Sequence, residues 1–225
     1  MAVLMARMLG KPIYPLILSD VSEGDTICLN ETVDGVTTPV SYYVAKHNYE
    51  ADLGNINRTL LIRANTVETT KWGTANTDTW PNSLVYSLMN NSESGYITRF
   101  SEKIKTAIAT TTYEYTEAKG GTSVVSMASP LFALSVAELG ITSTYANVEG
   151  EVLDVAGIVG VTDGNYWSRS SYNTSGSYAA MYIGKLGTSA SRIAYSGTHR
   201  TRPCLTLPGN IVLDPFTLLP KEDFL

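Results

Sequence analysis

Charge is the first thing this chain has little of. Only 16% of its 225 residues are Asp, Glu, Lys or Arg, and 16 basic against 21 acidic residues leave a net charge of −5. Ser, Thr, Asn and the 14 tyrosines must therefore supply most of the polar surface. A net-acidic chain without Lys/Arg clusters lacks the electrostatic footprint of a nucleic-acid binder, so no nucleic-acid partner is expected. No apolar run approaches the roughly 20 residues that cross a bilayer, so no membrane insertion is expected either. The opening "MAVLMARMLGKPIYPLIL" is apolar, but Arg7 and Lys11 interrupt it. Residues 1–16 read as a docking arm rather than a signal peptide.

Residues that carry chemistry are equally sparse. The two cysteines, Cys28 and Cys204, sit near opposite ends of the chain and read as free buried thiols. The two histidines, His47 and His199, have no metal-ligand partner two to four residues on, so no metal site is expected. A Ser-His-Asp set can be assembled on paper, but no serine lies in a G-x-S-x-G context. Neither a G-x-G-x-x-G after a strand nor a phosphate loop ending in Gly-Lys-Ser/Thr occurs. "DGNYW" at Asp163 lacks the alternating acidic residues of a calcium loop, and calcium held by loop carbonyls stays open. These absences point away from an enzyme, and no cofactor is expected.

What is present begins with a hairpin. "SEGDTICL" and "TPVSYYVAKH" read as strands joined through Asp34-Gly35, and "RTLLIRAN" as a third strand. "TWPNSLVYSLMNN" spaces Trp80, Leu84 and Leu88 one helical turn apart, with Pro81 suited to a first turn. Phe100, Ile104 and Ile108 mark a second helix, running into a strand from Thr110 to Tyr115. Leu131 to Leu134 read as a short buried strand before a brief helix, with Ser135 as N-cap, Glu138 at the capping-box position and Gly140 as terminator. From Val152 onward come short strands: "VLDVAGIV", "NYWSRS", "YAAMYIGKLG", "SRIAYSG" and "TRPCLTL". The expectation is an α+β chain of short antiparallel sheets with two main helices.

One surface stands out by composition. Asn165, Tyr166, Ser168, Tyr172, Asn173, Ser175, Ser177, Tyr178, Tyr182, Tyr195, Ser196, Thr198 and His199 mix tyrosine, which offers rigid contact area, with small residues that hydrogen-bond adaptably. They read either as a ligand-binding surface or as a solvated face that avoids charge.

"YWSRS" at Tyr166 to Ser170, followed by "RTRPCLTLP" at Arg200 to Pro208, resembles the paired "WWLRS" and "GVRPAL" signatures of an uncharacterised phage and gut-bacterial domain family. "LSDVSEGDTICLNETVDGVTTPVSYYVAKHN", "TWPNSLVYSLMNN" and "LFALSVAELG" resemble that family's opening hairpin, helix and following element in the same order. The resemblance covers residues 17–210 and implies a C-type-lectin-like fold. It also implies a structural frame of Trp167, Arg169, Ser170, Arg202, Pro203 and Leu205. Tyr166, Ser168 and Cys204 depart from the family's Trp, apolar residue and Ala.

By this resemblance the chain is a virion protein of a bacteriophage, such as a tail fibre, that binds a host-surface glycan or protein. Other virion proteins and sister copies in a homo-oligomer would be its partners, held through residues 1–16 and the tail 211–225. Related lectin-fold proteins with adenine-targeted diversification suggest that the Asn/Tyr/Ser/Thr-rich surface varies. A purely structural role in capsid decoration or tail assembly is the alternative. An enzyme of the formylglycine-generating type would need a cysteine pair that Cys28 and Cys204 do not match.

Overall fold

Asp34 and Gly35 have φ of 51° and 76°. Two successive positive values are what a type I′ hairpin turn needs, and glycine adopts one without a Cβ clash. The computed structural model describes residues 15–75, 79–108, 110–117, 120–153, 155, 164–172, 179–184, 189–193 and 197–225. Among them the strands are β1 (Thr26–Val33), β2 (Val36–His47), β3 (Arg58–Arg63), β4 (Val67–Lys71), β5 (Thr111–Thr116), β6 (Val124–Ser129), β7 (Leu131–Phe132), β8 (Tyr166–Ser171), β9 (Ala179–Ile183), β10 (Ser189–Ile193), β11 (Thr198–Thr201) and β12 (Cys204–Pro208). The α-helices are α1 (Leu84–Asn90) and α2 (Glu102–Ile108).

The first sheet has the order β1-β2-β3-β12-β7, antiparallel throughout, so the far end of the chain closes the sheet that the opening hairpin begins. The second has the order β10-β9-β8-β11-β4 and is antiparallel except where Arg200 of β11 lies beside Tyr166 of β8. β5 and β6 form a separate hairpin. All three tryptophans are buried, and each indole N–H finds an acceptor, as a buried indole must. Trp72 donates to the Ser168 carbonyl at 3.0 Å, Trp80 to the Tyr113 hydroxyl at 2.8 Å and Trp167 to the Thr70 carbonyl at 2.8 Å. Two of the three bonds tie β8 to the segment around β4.

The α+β, C-type-lectin-like expectation is overturned: among the described residues strand makes up 38% and helix 17%, in several small sheets, and the chain is mostly β. Both α-helices are only seven residues long. Ser83 caps α1 by accepting from the Tyr86 N–H at 3.0 Å, so the helix starts after Pro81 rather than at it. Its inward residues are then Val85 and Met89, while Leu84 and Leu88 are half-buried; the expected face is displaced by one position. At Ser135 the capping box forms, with Ser135 N–H donating to Glu138 at 2.8 Å and Glu138 N–H to the Ser135 hydroxyl at 3.0 Å. Only a turn follows, ending at Gly140.

β4, β6 and β11, which periodicity does not reveal, are short and pair with β11, β5 and β4 respectively. Val152 and Leu153 of the expected strand "VLDVAGIV" are not in a strand, Val155 is also outside one, and the remaining residues lie outside those described. The tail 211–225 folds back onto the domain: Leu18 N–H donates to the Ile211 carbonyl at 2.9 Å, Leu213 N–H to Leu16 at 2.8 Å and Cys28 N–H to Leu218 at 3.1 Å. Ile211 and Leu213 are buried. The arm's residues 1–14 lie outside those described.

Candidate functional site

A strand covered on both faces must place every side chain inside, and β8, "YWSRSS", has all six residues buried. At its centre the Arg169 guanidinium is fully satisfied. Nη1 donates to Glu138 Oε2 at 2.6 Å and to the Ala133 carbonyl at 2.9 Å, Nη2 to Glu138 Oε1 at 2.9 Å, and Nε to the Glu114 carbonyl at 2.6 Å. The Tyr113 ring lies 5.0 Å from the guanidinium carbon. Tyr49 adds a hydroxyl donor to Glu138 Oε1 at 2.5 Å. Burial alone would lower the Arg169 pKa, but the Glu138 carboxylate beside it raises it instead.

The same knot holds the segment that follows. Glu149 is buried, its carboxylate accepting from the Ser170 hydroxyl at 2.6 Å and from both the backbone N–H and the hydroxyl of Thr116. Burial pushes the Glu149 carboxyl up, against the opposing pull of Arg169 and these hydrogen bonds. The Ser135 hydroxyl donates to the Glu149 carbonyl at 2.6 Å and the Gly150 N–H to Glu114 at 3.0 Å. Residues 141–153, which have no regular secondary structure, are thus pinned at one end by buried polar groups.

What that segment displays is Tyr145. Its ring stacks on Tyr172 with centroids 5.0 Å apart and planes 10° apart, and Tyr145 is 51% exposed. The Tyr172 carbonyl accepts from Gly120 at 2.9 Å and the Asn147 amide donates to Gly121 at 3.0 Å, so the turn between β5 and β6 braces both sides of the pair. Adjoining it is a groove of about 380 Å³ walled by Val136, Ile141, Ala146, Val148 and Val152, with Thr142, Ser143 and Asn147 as polar groups. Apolar walls with a few polar groups are the usual make-up of a ligand site.

The candidate contact residues are dispersed by the structure. Tyr166 and Ser168 are buried, a correction to their placement on the surface: Tyr166 packs under Arg202, and the Ser168 hydroxyl donates to the Met181 carbonyl at 2.9 Å. Tyr182 is also buried, stacked with its ring centroid 4.0 Å from that of His199, which in turn lies 4.6 Å from Trp167. Asn165 and Thr198 are exposed and Tyr172 is half-buried. Asn173, Ser175, Ser177, Tyr178, Tyr195 and Ser196 lie outside the described residues. Of the frame, Trp167, Arg169, Ser170, Arg202, Pro203 and Leu205 are all buried.

Sequence reasoning missed Tyr145, Glu138 as partner of Arg169, and Glu149. "TSTYANVEG" carries the same Tyr/Ser/Asn mixture as the stretch after Trp167, which was the available signal for Tyr145. Nothing local marks Glu149. His47 ends β2 with Nε2 donating to the Val21 carbonyl and Nδ1 accepting from the Thr59 hydroxyl, both at 2.9 Å. The cysteines are free thiols; Cys204 is buried, and burial pushes its pKa up to about 12, whereas Cys28 is half-buried. Among the described residues no three His, Cys, Asp or Glu side chains are grouped to hold a metal ion, and no helix is long and apolar enough to cross a membrane.

A model of the family described as "Domain of unknown function (DUF6273)" matches residues 56–209, and the chain belongs to that family. Neither the curated proteins nor the solved structures contain a match.

Proposed function

We propose that this member of the family is a non-enzymatic phage virion surface protein that binds a host-surface glycan or protein through the Tyr145–Tyr172 pair and the groove beside it. The pair carries the reading: a half-exposed tyrosine is held flat by a second ring, on a segment that buried hydrogen bonds keep in place. A rigid aromatic face beside apolar walls and a few Ser, Thr and Asn groups suits the C–H faces and hydroxyls of a sugar, and equally a peptide side chain. Such contacts are individually weak, and many copies on a particle would convert them into avidity. The phage setting, virion localisation, neighbouring virion proteins as partners and homo-oligomerisation rest on the sequence resemblance. The test is binding of the purified chain to a glycan array and to candidate host cells, with Tyr145→Ala alongside. Binding that the variant loses supports the proposal.

A second reading, a structural virion component in capsid decoration or tail assembly, is favoured by apolar side chains away from the groove. Phe216 in the tail is 79% exposed and Val36 at the hairpin tip 63%. Exposed apolar groups of this kind often mark protein contacts. No cell or glycan binding, together with copurification with capsid or tail proteins that Phe216→Ser abolishes, would select this reading.

A further inference from the structure

Two arginines rank among the largest fully buried side chains, and their surroundings treat them oppositely. Arg169 has a partner for each of its three nitrogens. Arg202, between β11 and β12, is 2% exposed, yet its Nε, Nη1 and Nη2 have no hydrogen-bond partner among the described residues. A guanidinium holds its proton under all ordinary conditions, so it cannot escape burial by becoming neutral. An unpaired buried charge is among the most costly groups a fold can contain.

What lies around Arg202 narrows the remedy. The Tyr166 ring sits 4.8 Å from the guanidinium carbon, an attraction that compensates only part of the lost hydration. The Tyr166 hydroxyl is itself buried without a hydrogen-bond partner among the described residues. The Cys204 thiol, two residues on, is held neutral by burial, which pushes it up to about 12. Glu138, the buried carboxylate that bears on Cys204, is already gripped by Arg169 and Tyr49. One positive charge and two neighbouring groups of donors are left without a partner among the described residues.

We propose that Arg202 and the Tyr166 hydroxyl form an internal binding site for one small monovalent anion of halide type. The anion balances the guanidinium charge and accepts the hydrogen bonds that the described residues leave unmade. Because both groups are buried, the ligand is small, and because it sits beneath the junction of β11 and β12, it stabilises the closure of the two sheets. This site is separate from the Tyr145–Tyr172 surface and stands without it.

The test uses the full chain, melted in sodium chloride and in sodium gluconate at matched ionic strength. Raising chloride from about 10 to about 300 mM should lift Tm on the order of 3 °C above the gluconate series, through ligand linkage to the folded state. Arg202→Met should remove the difference and Tyr166→Phe should reduce it. Crystals soaked in sodium bromide should show an anomalous peak against the Arg202 nitrogens. Equal melting of the native chain in the two salts, a chloride effect that Arg202→Met leaves intact, or a bromide-soaked crystal without a peak at Arg202 would overturn the proposal. The native-chain measurements decide the matter even if the variants fail to fold.

Discussion

Arg169 and Glu138 meet as a two-pronged pair, Nη1 to Oε2 at 2.6 Å and Nη2 to Oε1 at 2.9 Å, with neither side chain exposed to solvent. Two planar groups with matched prongs give direction as well as charge balance. Here the pair joins β8 to the turn after β7, and the same guanidinium reaches the Glu114 carbonyl of β5. Three pieces of chain with distant sequence positions therefore share one knot.

Removing one member should leave the other charge buried and unpaired. Arg169→Met or Glu138→Ala is expected to destabilise the chain by about 3–5 kcal/mol in urea unfolding. Exchanging both for apolar residues of similar volume should cost less than either single change. If the double variant is instead the sum of the two singles, the pair is not acting as a unit.

Burial raises the carboxyl pKa of Glu149 and of half-buried Glu50. An acid raised in the folded state favours folding when protonated. Its contribution is full below the ordinary value of 4.5 and is lost as pH rises through the folded value. Native stability minus that of Glu149→Gln, measured by urea unfolding from about pH 4 to pH 8, should therefore fall with rising pH. A difference that rises with pH would mean that Arg169 and the Thr116 and Ser170 hydrogen bonds outweigh burial.

Gly150 has φ of +84°, and a Cβ there would lie 2.7 Å from carboxylate oxygens of both Glu138 and Glu50. Gly150→Ala should destabilise the chain by roughly 1–3 kcal/mol, from strain at positive φ and from crowding of the knot. Gly35→Ala is the control, since nothing lies within 4 Å of a Cβ there and only the φ of +76° is strained. Its smaller loss in thermal unfolding would isolate the crowding contribution.

Trp167→Ala should cost about 3–5 kcal/mol, because a fully buried indole is truncated. Tyr172→Ala, on a half-buried ring, should cost only about 0.5–1.5 kcal/mol from the lost stack on Tyr145. Ligand binding should order the two differently: Tyr172→Ala weakens it in chain that remains folded by circular dichroism. Equal stability losses would mean that Tyr172 belongs to the frame.

Local signals transferred well where a few adjacent residues decide the outcome. Asp34-Gly35 specified its turn, Ser135 and Glu138 formed their reciprocal bonds, and β1, β2, β3, β8, β9 and β12 lie where apolar and β-branched runs pointed. The expected split of β8 into inward Trp167 and Arg169 and outward Tyr166 and Ser168 assumed one wet face. The strand is instead buried along its whole length, so Ser168 and Ser170 are inside with hydrogen-bond partners rather than exposed. Tyr145 escaped notice because exposure and stacking depend on a ring that arrives from another part of the chain.

By itself the sequence determined the low charge, the opening hairpin and the reciprocal bonds of Ser135 and Glu138. Those properties reside in composition and in backbone preferences over a few residues. Tertiary structure alone decided that the chain is mostly β, that Glu138 pairs with Arg169 while still capping at Ser135, that Tyr172 meets Tyr145, and that Arg202 is buried without a partner among the described residues. The physical reason is that burial and pairing are set by whichever distant segments cover a residue. No spacing within one segment records what will be laid on top of it.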